Sequence, residues 1–165
     1  MNSKMIPVAV INPDAPPESL EAKQPAIDNG AEIYGKAGYF SLDQMESEWE
    51  KVWTESWLIA GVSSDLQAVG DYFLFRVRSE SIIVTKTEEG VKAFYNVCPH
   101  RGARLLTEER GNKKVFVCPF HSWSFRNSGE LRTITDEETF QDAVICHRPG
   151  LTPVACDEHA GLIFI

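Results

Sequence analysis

Alternation of apolar and polar side chains predicts short strands along most of this chain. In DYFLFRVR, residues 71–78, the side chains alternate between two faces at the period of two that a β-strand has. Phe73, Phe75 and Val77 would lie on one face, and Tyr72, Leu74 and Arg76 on the other. SIIVTK and VKAFYNV are joined by the turn TEEG and predict a β-hairpin. WSFRNSGELRTI predicts a second hairpin with Gly129 in its turn, and KKVFV, LTPVAC and GLIFI predict further strands. About seven short strands indicate a mainly β domain of small antiparallel sheets, a sandwich or barrel.

One segment ahead of these strands, SLDQMESEWEKVWTES, residues 41–56, predicts a helix. Ser41 is a suitable N-cap, and Gln44 three residues later completes a capping-box pattern. Apolar residues recur at helical spacing along one face, namely Leu42, Met45, Trp49, Val52 and Trp53. We expect this tryptophan-rich stripe to pack into the hydrophobic core.

Residues 1–30 differ in composition from the rest of the chain. Five of the nine prolines fall there, among polar residues and without a single aromatic side chain. Such a segment buries too little apolar surface to offset the entropy of ordering, so we predict a disordered N-terminal tail. Residues 31–165 have the length of one domain with a core of its own.

Charge and cysteine usage narrow the class of protein. A net charge of −8 argues against a nucleic-acid partner, because binding to phosphates needs a basic face. Neither a membrane helix nor a signal peptide is predicted, since the N-terminal apolar run MIPVAVI is short and interrupted by Pro7. Four cysteines without a secretory signal favour thiols or metal ligands in a reducing compartment, the cytoplasm.

Two predicted loops each contain one cysteine and one histidine. Cys98 and His100 stand in the first, Cys118 and His121 in the second, with seventeen residues between His100 and Cys118. Chance, a structural zinc ion and a Rieske [2Fe–2S] centre are the three explanations. Zinc loops usually pair Cys with Cys and His with His. In a Rieske centre two histidines replace two cysteines on one iron, which a mixed pair in each loop provides, so the third explanation is favoured.

These motifs also resemble a known family. CPHRGARL followed by CPFHSW is similar to the Rieske domain at the N-terminus of the large (α) subunit of Rieske non-haem iron aromatic-ring-hydroxylating oxygenases. The flanking stretches YFSLDQMESEWEKVWTESWLIAG, VGDYFLFRV and EHAGLIFI resemble that domain as well. The resemblance covers residues 31–165 and implies the Rieske [2Fe–2S] fold, with an N-terminal helix and cluster-binding loops at residues 98–104 and 118–124.

The resemblance also implies the ligands of the cluster. Cys98 and Cys118 would bind the inner iron, and His100 and His121 the outer iron near the surface. Backbone amides of both loops would donate hydrogen bonds to the sulfur atoms. His121 would face the acceptor and serve as the exit for electrons.

Further residues near the ligands match the family pattern, with one departure. Trp123 would cover the cluster, although a plain core aromatic is the alternative. Arg101 and Arg104 match the family's HRG-x-R pattern, and Arg101 would support the cluster, with solvated loop charges as the alternative. Ser122 stands where the family usually has glycine. If the backbone there needs a positive φ, serine costs about 1 kcal/mol.

The resemblance implies an oxidoreductase component. A ferredoxin or flavin reductase would supply electrons to the [2Fe–2S] cluster. They would pass to a mononuclear Fe(II) that activates O₂, in the catalytic domain of the same or a neighbouring subunit of a trimer. Such an enzyme is a dioxygenase or monooxygenase, typically of aromatic hydrocarbon catabolism. We expect that catalytic domain to be absent from this chain, because residues 1–165 offer no second credible set of two histidines and one carboxylate.

Two other functions stay open. A free-standing Rieske-type ferredoxin would carry electrons without being an enzyme, and a zinc-stapled module would be purely structural. A second metal site is not expected, because the remaining cysteines and histidines lack matching spacing; they are Cys146, His147, Cys156 and His159.

Overall fold

The structure, a computed structural model, describes residues 35–140 and 150–165, so the predicted tail at residues 1–30 lies outside the described residues. The described chain is mainly β and all its strand pairs are antiparallel, which confirms the predicted fold class. Its strands are β1 (Ile59–Val62), β2 (Asp71–Val77), β3 (Glu80–Thr87), β4 (Gly90–Tyr95), β5 (Arg110–Asn112), β6 (Val115–Val117), β7 (Ser124–Arg126), β8 (Leu131–Thr133), β9 (Pro153–Val154), β10 (Asp157–His159) and β11 (Leu162–Phe164).

Three sheets contain these strands. The central sheet has the order β5-β2-β3-β4-β9, and two three-stranded sheets have the orders β6-β7-β8 and β1-β11-β10. The predicted hairpins are present as β3–β4 and β7–β8. The segment EERGNKK, for which no strand was predicted, contributes the edge strand β5.

Each face of the central sheet packs against a separate hydrophobic core. Tyr72 and Leu74 of β2 join the core that contains Trp123, whereas Phe73 between them joins the core that contains Ile163. Alternation along β2 therefore divides apolar side chains between two buried faces instead of separating core from solvent. The core around Trp123 is the one that lies beneath both Cys/His loops.

Gly129 shows why the β7–β8 turn requires glycine. It lies in the turn as predicted, and its φ of +90° is in the left-handed region. A Cβ atom at this position would also lie only 2.3 Å from the Phe94 ring. Both the backbone conformation and the available space exclude a side chain here.

The predicted helix is present but shorter. It is α1 (Leu42–Glu48), continued by a π-helical turn at Trp49–Trp53, and its N-cap is confirmed because Ser41 Oγ accepts a hydrogen bond from the Gln44 amide at 3.3 Å. Short 3₁₀ turns occur at Lys36–Tyr39, Ser63–Asp65 and Glu137–Thr139. No helix in the described part of the chain combines the length and the apolar character needed to cross a bilayer.

The expectation that the apolar stripe of this helix packs into the core is wrong. Neither α1 nor the following turn contains a buried residue, and Val52 and Trp53 are about half exposed. Trp53 lines an open groove of about 450 Å³ together with Trp57 and Tyr95. Helical spacing correctly identified one face, which is largely exposed among the described residues, although the Arg78 guanidinium lies 5.3 Å from the centroid of the Trp49 ring.

Candidate metal centre

The second Cys/His loop closes a regular β-hairpin. Val117 at the end of β6 pairs with Ser124 at the start of β7, which leaves residues 118–123 as the connection. The Cys118 amide donates to the Trp123 carbonyl at 2.7 Å, and the Ser122 amide donates back to the Cys118 carbonyl at 3.0 Å. Ser122 has a φ of +58°, so the position at which the family usually has glycine does need a left-handed backbone.

The first loop repeats this hydrogen-bond pattern. The Cys98 amide donates to the Ala103 carbonyl at 2.7 Å, and the Gly102 amide donates to the Cys98 carbonyl at 2.9 Å. Gly102 has a φ of +72° and corresponds to Ser122 in the second loop. The two loops therefore share one backbone geometry, although their histidines stand two and three residues after the cysteine.

Both loop cysteines are buried and lie side by side. The Cys98 thiol is within hydrogen-bonding distance of the Cys118 thiol, and the backbone amides of His100 and Arg101 donate to the Cys98 sulfur. Burial raises the pKa of Cys98, and the neighbouring Cys118 raises it further, while the two amides lower it. Two buried thiols with backbone donors form a suitable sulfur-ligand pair for iron, whose positive charge offsets the burial of the thiolates.

The two histidines also lie side by side. The ring centroids of His100 and His121 are 4.7 Å apart, and the Nδ1 atoms of both rings are buried. Nδ1 of His121 has no hydrogen-bond partner among the described residues. A buried nitrogen without a partner costs about 1–3 kcal/mol unless a metal ion occupies its lone pair, so this atom fits a metal ligand.

Thiols and imidazoles are therefore arranged as two like pairs. No three His, Cys, Asp or Glu side chains of the described residues converge on one point. A binuclear centre in which two cysteines bind one iron and two histidines bind the other needs two protein ligands at each iron, which this arrangement offers.

Trp123 holds the ring of His100 in place. The two rings are stacked with centroids 4.6 Å apart and an interplanar angle of 5°. Trp123 is itself buried, and Phe140 packs edge-on against both rings, at 6.3 Å from His100 and 5.9 Å from Trp123. Trp123 thus belongs to the core, which was one of the two alternatives stated for it, and its ring contacts a candidate ligand. Phe140 was missed, because nothing in its local sequence points to the histidines.

Three exposed apolar side chains adjoin the candidate ligands in sequence and are referred to as the apolar rim: Phe120, Val97 and Val117. Phe120 is 59% exposed and its ring centroid lies 3.9 Å from that of His121. Val97 and Val117, each directly before a candidate cysteine ligand, are exposed as well. The Arg101 side chain is exposed and its amide donates to the Cys98 sulfur, so among the described residues its contact with the site is made by the backbone.

Among the described residues, Cys156 and His159 are not part of this site. Cys146 and His147 lie outside the described residues. Cys156 is half-buried in the core on the opposite face of the central sheet, and burial raises the pKa of its thiol to about 11, with smaller contributions from Asp157 and Glu158. His159 lies on β10 and is exposed.

Comparison with known proteins places this arrangement in a family. The family model described as Rieske [2Fe-2S] domain matches residues 56–147. Among curated proteins, the carnitine monooxygenase oxygenase subunit of Escherichia coli (strain K12) is 37% identical over 128 residues, which are 77% of this chain and 34% of that protein. The naphthalene 1,2-dioxygenase system large oxygenase component of Pseudomonas aeruginosa is 35% identical over 112 residues, 67% of this chain and 25% of that protein.

Solved structures agree with these relatives. The apo form of the quaternary ammonium Rieske monooxygenase CntA superposes with a TM-score of 0.74 at 31% identity, covering 80% of this chain and 38% of that one. Naphthalene 1,2-dioxygenase with indole bound gives a TM-score of 0.67 at 32% identity, covering 72% and 27%. The chain thus spans about a third of the length of the curated relatives it matches.

The fold, the paired loops and the family match define an iron–sulfur domain. The chain belongs to the Rieske [2Fe–2S] domain family, and its relatives are oxygenase subunits. The predicted resemblance and the predicted [2Fe–2S] cofactor are confirmed.

Proposed function

We propose that this chain is the electron-transfer domain of a Rieske non-haem iron oxygenase. In this assignment Cys98 and Cys118 bind one iron of the cluster, and His100 and His121 bind the other. The observation that carries it is the pairing of thiol with thiol and imidazole with imidazole across two loops of equal backbone geometry. When bound, a Rieske cluster supplies reversible one-electron oxidation and reduction.

The surrounding residues would serve this function in distinct ways. Backbone amides of His100 and Arg101 stabilise negative charge on the Cys98 sulfur. Trp123 fixes the plane of the His100 ring from the buried side. His121 lies beneath the exposed Phe120 ring, and we assign it as the exit for electrons because it borders the apolar rim.

The whole protein, of which residues 31–165 form the Rieske domain, would work with partners. A ferredoxin or flavin reductase is the proposed donor, and a mononuclear Fe(II) in a catalytic domain of the same or a neighbouring subunit of a trimer is the proposed acceptor. We place the protein in the cytoplasm, since cysteine thiolates bind iron in a reducing compartment. Its relatives are named for carnitine, glycine betaine and naphthalene, although all of them match this same domain. We therefore assign the choice of substrate, including the choice of an aromatic hydrocarbon, to the catalytic domain.

Ligand substitutions test the assignment of the cluster. Cys118→Ser and His121→Ala should each abolish the absorption and the reduced-state EPR signal of a Rieske cluster after reconstitution with iron and sulfide. Cys156→Ser is the matched control, because Cys156 lies in the other core, and it should retain both signals. Full retention of the Rieske signals in Cys118→Ser would contradict the assignment.

The oxygenase part of the proposal is tested by the coding sequence beyond codon 165. We expect it to continue for a domain's length and to encode a two-His-one-carboxylate set. A stop codon directly after Ile165 would instead make the chain a free-standing electron carrier.

A further inference from the structure

The two cluster loops are anchored to the fold in different ways. The ends of the second loop are held by the adjacent paired strands β6 and β7. The first loop runs from β4 to β5, and these two strands do not pair with each other. β4 pairs with β3 and β9, while β5 pairs with β2. The backbone ladder that fixes the second loop is therefore absent from the first.

Asn96 joins the ends of the first loop. Its side chain is fully buried, with 0% exposure, two residues before Cys98. Oδ1 accepts hydrogen bonds from the amides of Leu105 at 3.1 Å and Leu106 at 2.9 Å. Nδ2 donates to the Leu106 carbonyl at 2.7 Å and to Ser81 Oγ at 3.2 Å. All four hydrogen-bonding positions of the amide are thus used.

These bonds enclose the candidate ligands. Cys98 and His100 lie between Asn96 and Leu105 in the sequence. The hydrogen bond from the Leu105 amide to the Asn96 side chain therefore closes the loop that contains them. The Asn96 backbone amide also donates to the Ser81 carbonyl at 2.8 Å, which ties the start of this ring to β3 of the central sheet. Because buried groups that lose such partners cost about 1–3 kcal/mol each, the loop is held in one conformation.

We propose that Asn96 is a positioning residue for the cluster, which holds Cys98 and His100 in register with the second loop in place of a strand pair. This inference rests on the ligand assignment proposed above. To hold the loop, the side chain at position 96 needs both an acceptor for the amides of Leu105 and Leu106 and a donor for the Leu106 carbonyl. Aspartate offers only the acceptor when ionised, and alanine offers neither.

Three variants of the holoprotein separate positioning from general stability. Asn96→Ala removes all the side-chain bonds to residues 105 and 106, and Asn96→Asp keeps the acceptor but loses the amide donor. Ser81→Ala is the matched control, because it removes a buried partner of the same amide and leaves its bonds to the loop intact. The measurements are melting temperature, the rate of iron release to a chelator, the EPR g-values of the reduced cluster, and hydrogen exchange of the Leu105 and Leu106 amides.

If Asn96 positions the cluster loop, the three variants should differ in iron-release rate in an order that loss of stability alone does not predict. Iron release should be about tenfold faster or more in Asn96→Ala, equivalent to about 1.4 kcal/mol, intermediate in Asn96→Asp and unchanged in Ser81→Ala. The g-values should shift, and exchange of the two amides should rise, only in the Asn96 variants. Should Asn96→Ala fail to fold, the comparison of Asn96→Asp with Ser81→Ala decides.

Iron release that follows melting temperature alone across the variants, with unchanged g-values, would overturn the inference. Failure of the ligand assignment is distinguishable, because the wild-type chain itself would then lack the Rieske EPR signal.

Discussion

Gly102 and Ser122 occupy equivalent positions in the two cluster loops. Each stands four residues after a cysteine, donates its amide to that cysteine's carbonyl, and has a positive φ, +72° for Gly102 and +58° for Ser122. Only the second of these left-handed positions carries a side chain. The backbone of the second loop is therefore more strained than that of the first.

Replacing this serine should stabilise the protein. In Ser122→Gly, relief of about 1–2 kcal/mol of left-handed strain outweighs the 0.5–1 kcal/mol or so of extra chain entropy that glycine brings. We expect the free energy of unfolding in urea to rise by about 0.5–1 kcal/mol.

Gly102→Ala is the matched control for that substitution. Its Cβ would meet no atom within 4 Å, so the backbone strain acts without a clash and is offset in part by the lower chain entropy of alanine, and we expect a loss of about 0.5–1 kcal/mol. A lower unfolding free energy in Ser122→Gly would instead show that the serine hydroxyl stabilises the loop.

Removal of the indole that stacks on His100 should alter the cluster as well as the core. Trp123→Phe keeps a buried aromatic ring but loses part of the parallel contact with the imidazole. We expect unfolding free energy to fall by about 2 kcal/mol and the EPR g-values of the reduced cluster to shift, because His100 gains rotational freedom.

Phe125→Leu provides the comparison for Trp123→Phe. Phe125 is fully buried in the same core and has no ring contact with either histidine among the described residues. The Phe125→Leu variant should lose about as much unfolding free energy as Trp123→Phe and should keep the wild-type g-values. Identical g-values in Trp123→Phe would contradict a role for the stacked ring.

The local signals in the sequence were sufficient for the main strands and for the two loops. A period of two identified β2, and the mixed Cys/His spacing around residues 98–100 and 118–121 pointed to the candidate site, because both patterns lie within a few consecutive residues. For Ser122 the sequence raised a left-handed backbone only as a condition, by comparison with the family's glycine, and the structure shows a φ of +58° there. Such features depend little on distant parts of the chain.

Features that depend on distant partners were missed. The edge strands β5 and β10 are three residues long and largely polar, so only pairing with β2 and β11 makes them strands. Asn96 resembles any polar residue near a turn, because its partners lie nine, ten and fifteen residues away. Helical spacing likewise identified the stripe that includes Trp53 without indicating whether another surface covers it.

The contact between Gly129 and Phe94 predicts a large loss on substitution. Gly129→Ala combines a positive φ with a Cβ placed 2.3 Å from the ring, and we expect a loss of about 3 kcal/mol or more in urea unfolding. Gly90→Ala, with a φ of +127° and open space around its Cβ, should lose only the strain, about 1–2 kcal/mol. Equal losses in the two variants would mean that Phe94 moves aside freely.

The Cys156 thiol predicts a decline of stability in alkaline solution. Burial, followed by the nearby carboxylates of Asp157 and Glu158, raises its pKa from the usual 9.0 to about 11. The folded protein therefore keeps a proton that the unfolded chain releases, so this contribution is fully present below pH 9 and is lost as the pH rises toward 11. Urea unfolding of the apoprotein at about pH 8 and about pH 10.5 should show a larger fall for the wild type than for Cys156→Ser, in which the other titrating groups are unchanged. Equal falls in the two proteins would show that the thiol has the same pKa in the folded and unfolded chains.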